Sequence, residues 1–304
     1  MGDFTAAVRV EALKLRRSRT PWITALAFSL VPLVDGLFMV ILKDPAAARS
    51  WGLLGAKAQL TVGVADTPTA LGFLTEATGI GGLFVFGLLF IWVFGREFAD
   101  RTVKDMLALP VPRAAIVAAK FIVATAWCLM LAAWTGALGV GVVTGLRLPG
   151  AAAGTVGSGL VRLLLTAIMT IALVAPFALL ASVARGYLAP VGGIVLATFL
   201  GQIVTTLGYG AYFPWAVPAL YAGIAGVRTR PGPAGYLLVV LVGLASGWRR
   251  CWVPAPGGGA PTRRGDRRPP GRVVKSPPPA VPARGPRAGR TGTRPGARRS
   301  VVRP

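Results

Sequence analysis

Residues 71–94 form a run of 24 with one charged side chain, Glu76, and residues 161–183 form a run of 23 with one, Arg162. At about 1.5 Å per residue, either run is long enough as a helix to cross a hydrocarbon core of roughly 30 Å. Apolar stretches also occupy 22–42, 116–143, 189–206 and 235–246. In lipid every backbone polar group must be paired within the protein, so such runs restrict the chain to packed helices. We therefore expect an all-α integral membrane protein with about six transmembrane helices. The last run holds only 12 residues, short of the roughly 20 a span requires. It is either defective or extended past Ser246.

Composition agrees, with 54% hydrophobic and 14% charged residues. The net charge of +23 divides into two unlike parts. Residues 1–246 hold 18 Lys/Arg and 9 Asp/Glu, whereas 247–304 hold 15 Lys/Arg against Asp266. The second part has no Leu, Ile, Phe or Met but 12 prolines, 10 glycines and 14 arginines. Such a segment cannot bury enough apolar surface to fold, so a disordered basic tail is expected from 247 onward. Arg, Pro, Gly and Ala are also what GC-rich DNA encodes in a shifted frame. The change falls where the sixth span ought to continue, which points to a frameshift. A tail drawn to anionic lipid headgroups is the alternative. It carries no nucleic-acid recognition motif, and no nucleic-acid partner is expected.

Catalytic chemistry has little to work with. The chain has no histidine, and its two cysteines, Cys128 and Cys251, make neither a disulfide framework nor a four-ligand zinc site. No GxxxxGK[ST] phosphate loop occurs. The expectation is a protein that is not itself an enzyme and holds no metal or cofactor.

Residues 4–19 read as an amphipathic helix on the membrane surface, with Phe4, Val8 and Leu15 on one face and Arg9, Lys14, Arg16, Arg17 and Arg19 supplying charge. Thr20-Pro21-Trp22 then supplies an N-cap, a first-turn proline and an interfacial tryptophan. The Lys/Arg bias of the short loops places both termini in the cytoplasm of a cell with this protein in its plasma membrane.

Between the second and third runs lies GREFADRTVKDMLALPVPR, residues 95–113. As a helix it offers four opposite-charge pairs at i,i+4: Arg96–Asp100, Glu97–Arg101, Asp100–Lys104 and Arg101–Asp105. Pro110 and Pro112 stop it. Two spans do not need such a helix merely to be connected, so it is expected to dock on something in the aqueous compartment.

VRVEALKLRRSRTPWIT, WVFGREFADRTVKDMLALPVPRAAIVAAKF and GYGAYFPWAVPAL together resemble the permeases of type-2 ABC exporters over about residues 5–246. Arg96, Glu97, Arg101, Thr102, Pro110 and Arg113 stand on the positions matching that family's cytoplasmic loop. The resemblance implies a half-transporter: two permease chains, identical or different, form the pathway, and two separate ATP-binding subunits drive it. It further implies that 95–113 is a coupling helix seated in a groove of the ATPase. Glu97, Arg101 and Thr102 are then the coupling contact, with Arg96 and Asp105 in support.

Asp35, three residues after Pro32 within the first run, is a candidate for a water-filled pathway. Glu76 and Arg162 read as markers of the water interface, Pro176 as a kink, and Gly141–Gly145 as a GxxxG packing motif. A secondary transporter or a membrane scaffold without an ATPase is the rival. It predicts an inverted repeat, which the sequence does not display.

Overall fold

The computed structural model describes residues 2–52, 64–99, 112–184, 186–223 and 231–252. Among these it contains the helices α1 (Gly2–Arg17), α2 (Thr20–Lys43), α3 (Pro45–Ser50), α4 (Thr67–Ala99), α5 (Arg113–Gly145), α6 (Ala153–Val183), α7 (Leu188–Thr206), α8 (Val217–Ala222) and α9 (Pro233–Trp252). Helices α2, α4, α5, α6 and α7 are long and apolar enough to cross a membrane. They cover the first five expected runs and extend each of them at one or both ends. The sixth run lies inside α9, whose apolar part, Pro233–Ala245, is shorter than a span. Its helical backbone passes the expected boundary at Ser246 and continues to Trp252. The tail beyond, and with it the expected disorder, lies outside the described residues.

Helix α1 leads into α2 through a single turn at Ser18, whose hydroxyl donates to the Leu15 carbonyl at 2.7 Å. Thr20 does not cap α2. Arg19 already has helical dihedrals, so α2 starts with its N-cap at Arg19 and Pro21 in its first turn.

At the centre α4 packs along α6, the most extensive helix pair of the bundle. Small residues permit the approach: a Cβ on Gly79 would meet Thr166, one on Gly82 would meet Thr170, and one on Gly87 would meet Val174 of α6 and collide with Ile194 of α7. Close backbone approach through small residues is how helices gain contact where lipid competes with any apolar surface. The expected GxxxG is not such a contact. Gly141 and Gly145 have no atom within 4 Å of where a Cβ would stand. That pattern faces away from its neighbours in this bundle, because the phase of α5 turns Cys128, Ala132 and Thr135 inward instead.

Polar pins join α2 to α5. Trp127 Nε1 donates to Thr24 Oγ1 at 3.0 Å, Trp134 Nε1 to Ser29 Oγ at 2.9 Å, and Thr135 Oγ1 to the Phe28 carbonyl at 3.2 Å. Phe28 also stacks on Phe86 of α4 with centroids 5.1 Å apart.

The aromatic stretch before α9 folds into two 3-10 turns and α8, and it reaches between the long helices. Trp215 Nε1 donates to the carbonyl of Leu173 at 3.1 Å, in the turn of α6 that Pro176 interrupts. Pro176 has no N–H for the Ala172 carbonyl four residues earlier, and the next carbonyl, that of Leu173, takes a donor from outside the helix. Val217 and Leu220 are buried, and Ala219 lies against Gly79 of α4. The segment thus enters the bundle where its backbone is surrounded by protein.

Candidate functional site

On α1, Val8, Glu11 and Leu15 recur at three- and four-residue spacing and share one helix face. That face packs on α5. It buries Leu15 and, in line with it, Glu11. On α4 the buried stripe Phe86, Phe90, Val93 and Phe94 continues one turn further onto Glu97, which is 7% exposed. On α5 the stripe Ile116, Lys120, Ala124 and Cys128 contains Lys120, which is 2% exposed. Three charged side chains therefore occupy core positions of three helices at one end of the bundle.

They meet there. Lys120 Nζ donates to Glu97 Oε1 at 2.6 Å, to the Val93 carbonyl at 3.1 Å and to Glu11 Oε2 at 3.5 Å. Lys14, half-buried, closes the ring by donating to Glu11 Oε1 at 2.6 Å and standing 3.6 Å from Glu97 Oε1. The Phe94 ring lies 5.9 Å from Lys120 Nζ and adds a weaker attraction for the cation. Two carboxylates face two ammonium groups, so the cluster is neutral. Neutrality and the hydrogen bonds offset the large cost of dehydrating each charge, and removal of any one member leaves an uncompensated buried charge.

Glu97 was expected to face a docking protein together with Arg101 and Thr102. It is instead turned into the bundle, because its helix position falls on the same face as Phe90 and Phe94. Arg96, one residue earlier, is half-buried, with its guanidinium 4.9 Å from the centroid of the Trp92 ring. Arg101, Thr102 and Asp105, and with them all four expected i,i+4 pairs, involve positions outside the described residues. Glu97 and Lys120 stand on the two helices flanking the segment 100–111.

Glu11, Lys14 and Lys120 were not singled out from sequence as a site. Their signal was present nonetheless: Glu11 interrupts an otherwise apolar face, and Lys120 follows Ile116 by one turn inside a long apolar run. What no single helix discloses is that the two interruptions meet.

Asp35 lies far from this cluster along α2. It is 5% exposed and lines a groove of about 370 Å³ with Ala27, Leu30, Val31, Val34 and Phe38 of α2 and Phe73 and Ala77 of α4. Arg162 and Tyr221 line a second hollow between α4, α6 and α8, with the guanidinium 5.8 Å from the Tyr221 ring centroid. Glu76 approaches the same region from α4, beside Gly223.

Residues 7–203 match the family described as ABC-2 family transporter protein. The bacitracin transport permease protein BCRB of Bacillus licheniformis is 23% identical over 137 residues, covering 44% of this chain. The chain spans 65% of the length of that curated relative. No solved structure matches. With its five membrane-crossing helices and a match that includes α1 through most of α7, the chain belongs to the ABC-2 family of transporter permeases.

Proposed function

We propose that this chain is the membrane subunit of an ATP-driven exporter, forming the translocation pathway as a pair of permeases and taking its energy from a separate ATP-binding subunit. One observation carries the coupling part of the reading: Lys120 ties the end of α4 to the start of α5 and, through Glu11 and Lys14, both to α1. The segment 100–111, with Arg101, Thr102 and Asp105, joins those tied helices in sequence and is the docking element. A push on it reaches α4, α5 and α1 together, because a charge-paired buried cluster resists being pulled apart. Rigid-body transmission of this kind suits a transporter that alternates between two arrangements. Glu97 then serves coupling from within, as the anchor of the docking element. Both termini and the docking element lie on the cytoplasmic side in this reading, as the basic residues of α1 and of 95–120 favour. The relative's printed cargo, bacitracin, makes antibiotic export the first transport to assay.

The test is co-expression of the full chain with candidate ABC ATP-binding subunits from its own genome, followed by co-purification and by ATPase measurement in nanodiscs. Glu97→Lys places a third ammonium against Lys14 and Lys120 and is expected to uncouple: the complex forms poorly or hydrolyses ATP without export. Undiminished association and export in this variant would overturn the coupling role.

A further inference from the structure

Among the described residues, buried polar side chains are satisfied with one exception. Thr75, Thr78, Thr166 and Thr170 donate to carbonyls of their own helices, Thr135 donates to Phe28, and the Glu11–Glu97–Lys120 cluster is mutually paired. Among the described residues, both carboxyl oxygens of Asp35 are buried with no hydrogen-bond donor, and no salt bridge reaches them. A carboxylate at membrane depth without a partner is costly, and such groups in spans face a pathway or a ligand.

Asp35 belongs to the inner wall of the groove between α2 and α4, with both carboxyl oxygens just behind that wall, so a cation in the groove meets its charge at short range through a thin apolar layer. Its helix stripe, Phe28, Pro32, Asp35, Gly36 and Met39, is the buried face of α2. Leu30 and Val34, on the outer lip, are more than half exposed, so the groove opens sideways toward lipid. Phe38 and Phe73 close one side as an edge-to-face pair with centroids 5.6 Å apart. The volume falls within the roughly 300–1,000 Å³ of small-molecule sites. Apolar walls, two aromatic rings and one unpartnered acid form a recognition set for a cation with an apolar body.

We propose that this groove binds a lipophilic organic cation, with the Asp35 carboxylate as counter-ion and the Phe38 and Phe73 rings against the charged centre. The proposal rests on the reading of the chain as a transporter and names the chemical class of its cargo. The occupant enters from the bilayer between Leu30 and Val34. A lipid acyl chain in the same place leaves Asp35 unpaired, and so does the apolar face of a second permease copy. A neutral or anionic cargo gains nothing from the acid.

The experiment uses the full chain in nanodiscs, without ATP or any other subunit, and radiolabelled tetraphenylphosphonium as probe. Tetraphenylborate is its counterpart of like shape and opposite charge. Saturable binding of the cation and none of the anion is expected. Asp35→Asn should weaken cation binding about tenfold or more, the equivalent of losing one well-placed charge contact, and Asp35→Glu should recover part of it. Ala77→Phe, which fills the groove without touching the acid, should also weaken binding. A merely structural Asp35 would lose stability on substitution. Here Asp35→Asn should raise the Tm while affinity falls, since an unpaired buried charge is removed.

Equal binding of the two ions, unchanged cation affinity in Asp35→Asn, or no saturable binding to the wild type (a lipid or a second copy filling the groove) would each overturn the proposal. Failure to associate with an ATPase would sink the coupling reading and leave this measurement as it stands.

Discussion

Lys120 Nζ lies 2.6 Å from Glu97 Oε1 and joins the two helices that flank the segment 100–111. Both groups are nearly inaccessible, and both are held at helix positions that apolar residues occupy one turn away. A contact so placed ties the two flanking helices together at this end of the bundle.

Lys120→Met leaves Glu97 and Glu11 with Lys14 as their shared cation. The expected loss is about 3–5 kcal/mol, the usual cost of stripping one member from a buried ion pair. The double variant Glu97→Gln with Lys120→Met should lose far less than the sum of the two single changes. Unfolding of the purified chain in detergent measures the cycle, and simple additivity would show that the two groups do not interact.

A weaker coupling is expected where neutral groups pin α2 to α5. A cycle of Thr24→Val with Trp127→Phe should give about 0.6 kcal/mol, the average found for hydrogen bonds between membrane helices. A value comparable to that of the Lys120–Glu97 pair would mean that the α2–α5 contact carries more than its geometry suggests.

Trp215→Phe keeps a ring against Phe177 and Phe213 but removes the donor to Leu173. The Leu173 carbonyl then loses its donor from outside the helix, at a cost of about 0.5–1.5 kcal/mol. A lowered Tm, with greater protease sensitivity in 205–223, is the expected result. An unchanged Tm would detach the segment from α6.

Two glycines separate packing from pattern. Gly87→Leu should destabilise by about 1–3 kcal/mol or more, since its side chain must enter space held by Ile194 and Val174. Gly141→Ala should be neutral or gain up to about 1 kcal/mol of helix propensity, since nothing stands beside it. The reverse order would place the close contacts on the other face of α5.

The helices and their approximate spans were legible along the chain. Apolar length and three- to four-residue periodicity are local properties, and the bilayer admits few other solutions. The pairing of charges was not legible, because Glu97 has an attractive local candidate four residues on, at Arg101. Its observed partners stand at positions 120 and 14, and only the packing of α1, α4 and α5 brings them near. The same limit applied to the glycines: Gly141–Gly145 has the right spacing, but which side of a helix meets a neighbour depends on helix phase in the bundle. Asp35 was visible in sequence as an acid inside an apolar run. That it is buried and unpartnered at the wall of a groove depends on what other helices do not bring to it. Sequence alone determined that this protein crosses the membrane as helices, since lipid forbids the alternatives. Which charges are neutralised and which is left open was decided by tertiary structure, because charge compensation in a low-dielectric interior depends on distances between helices that sequence separation does not set.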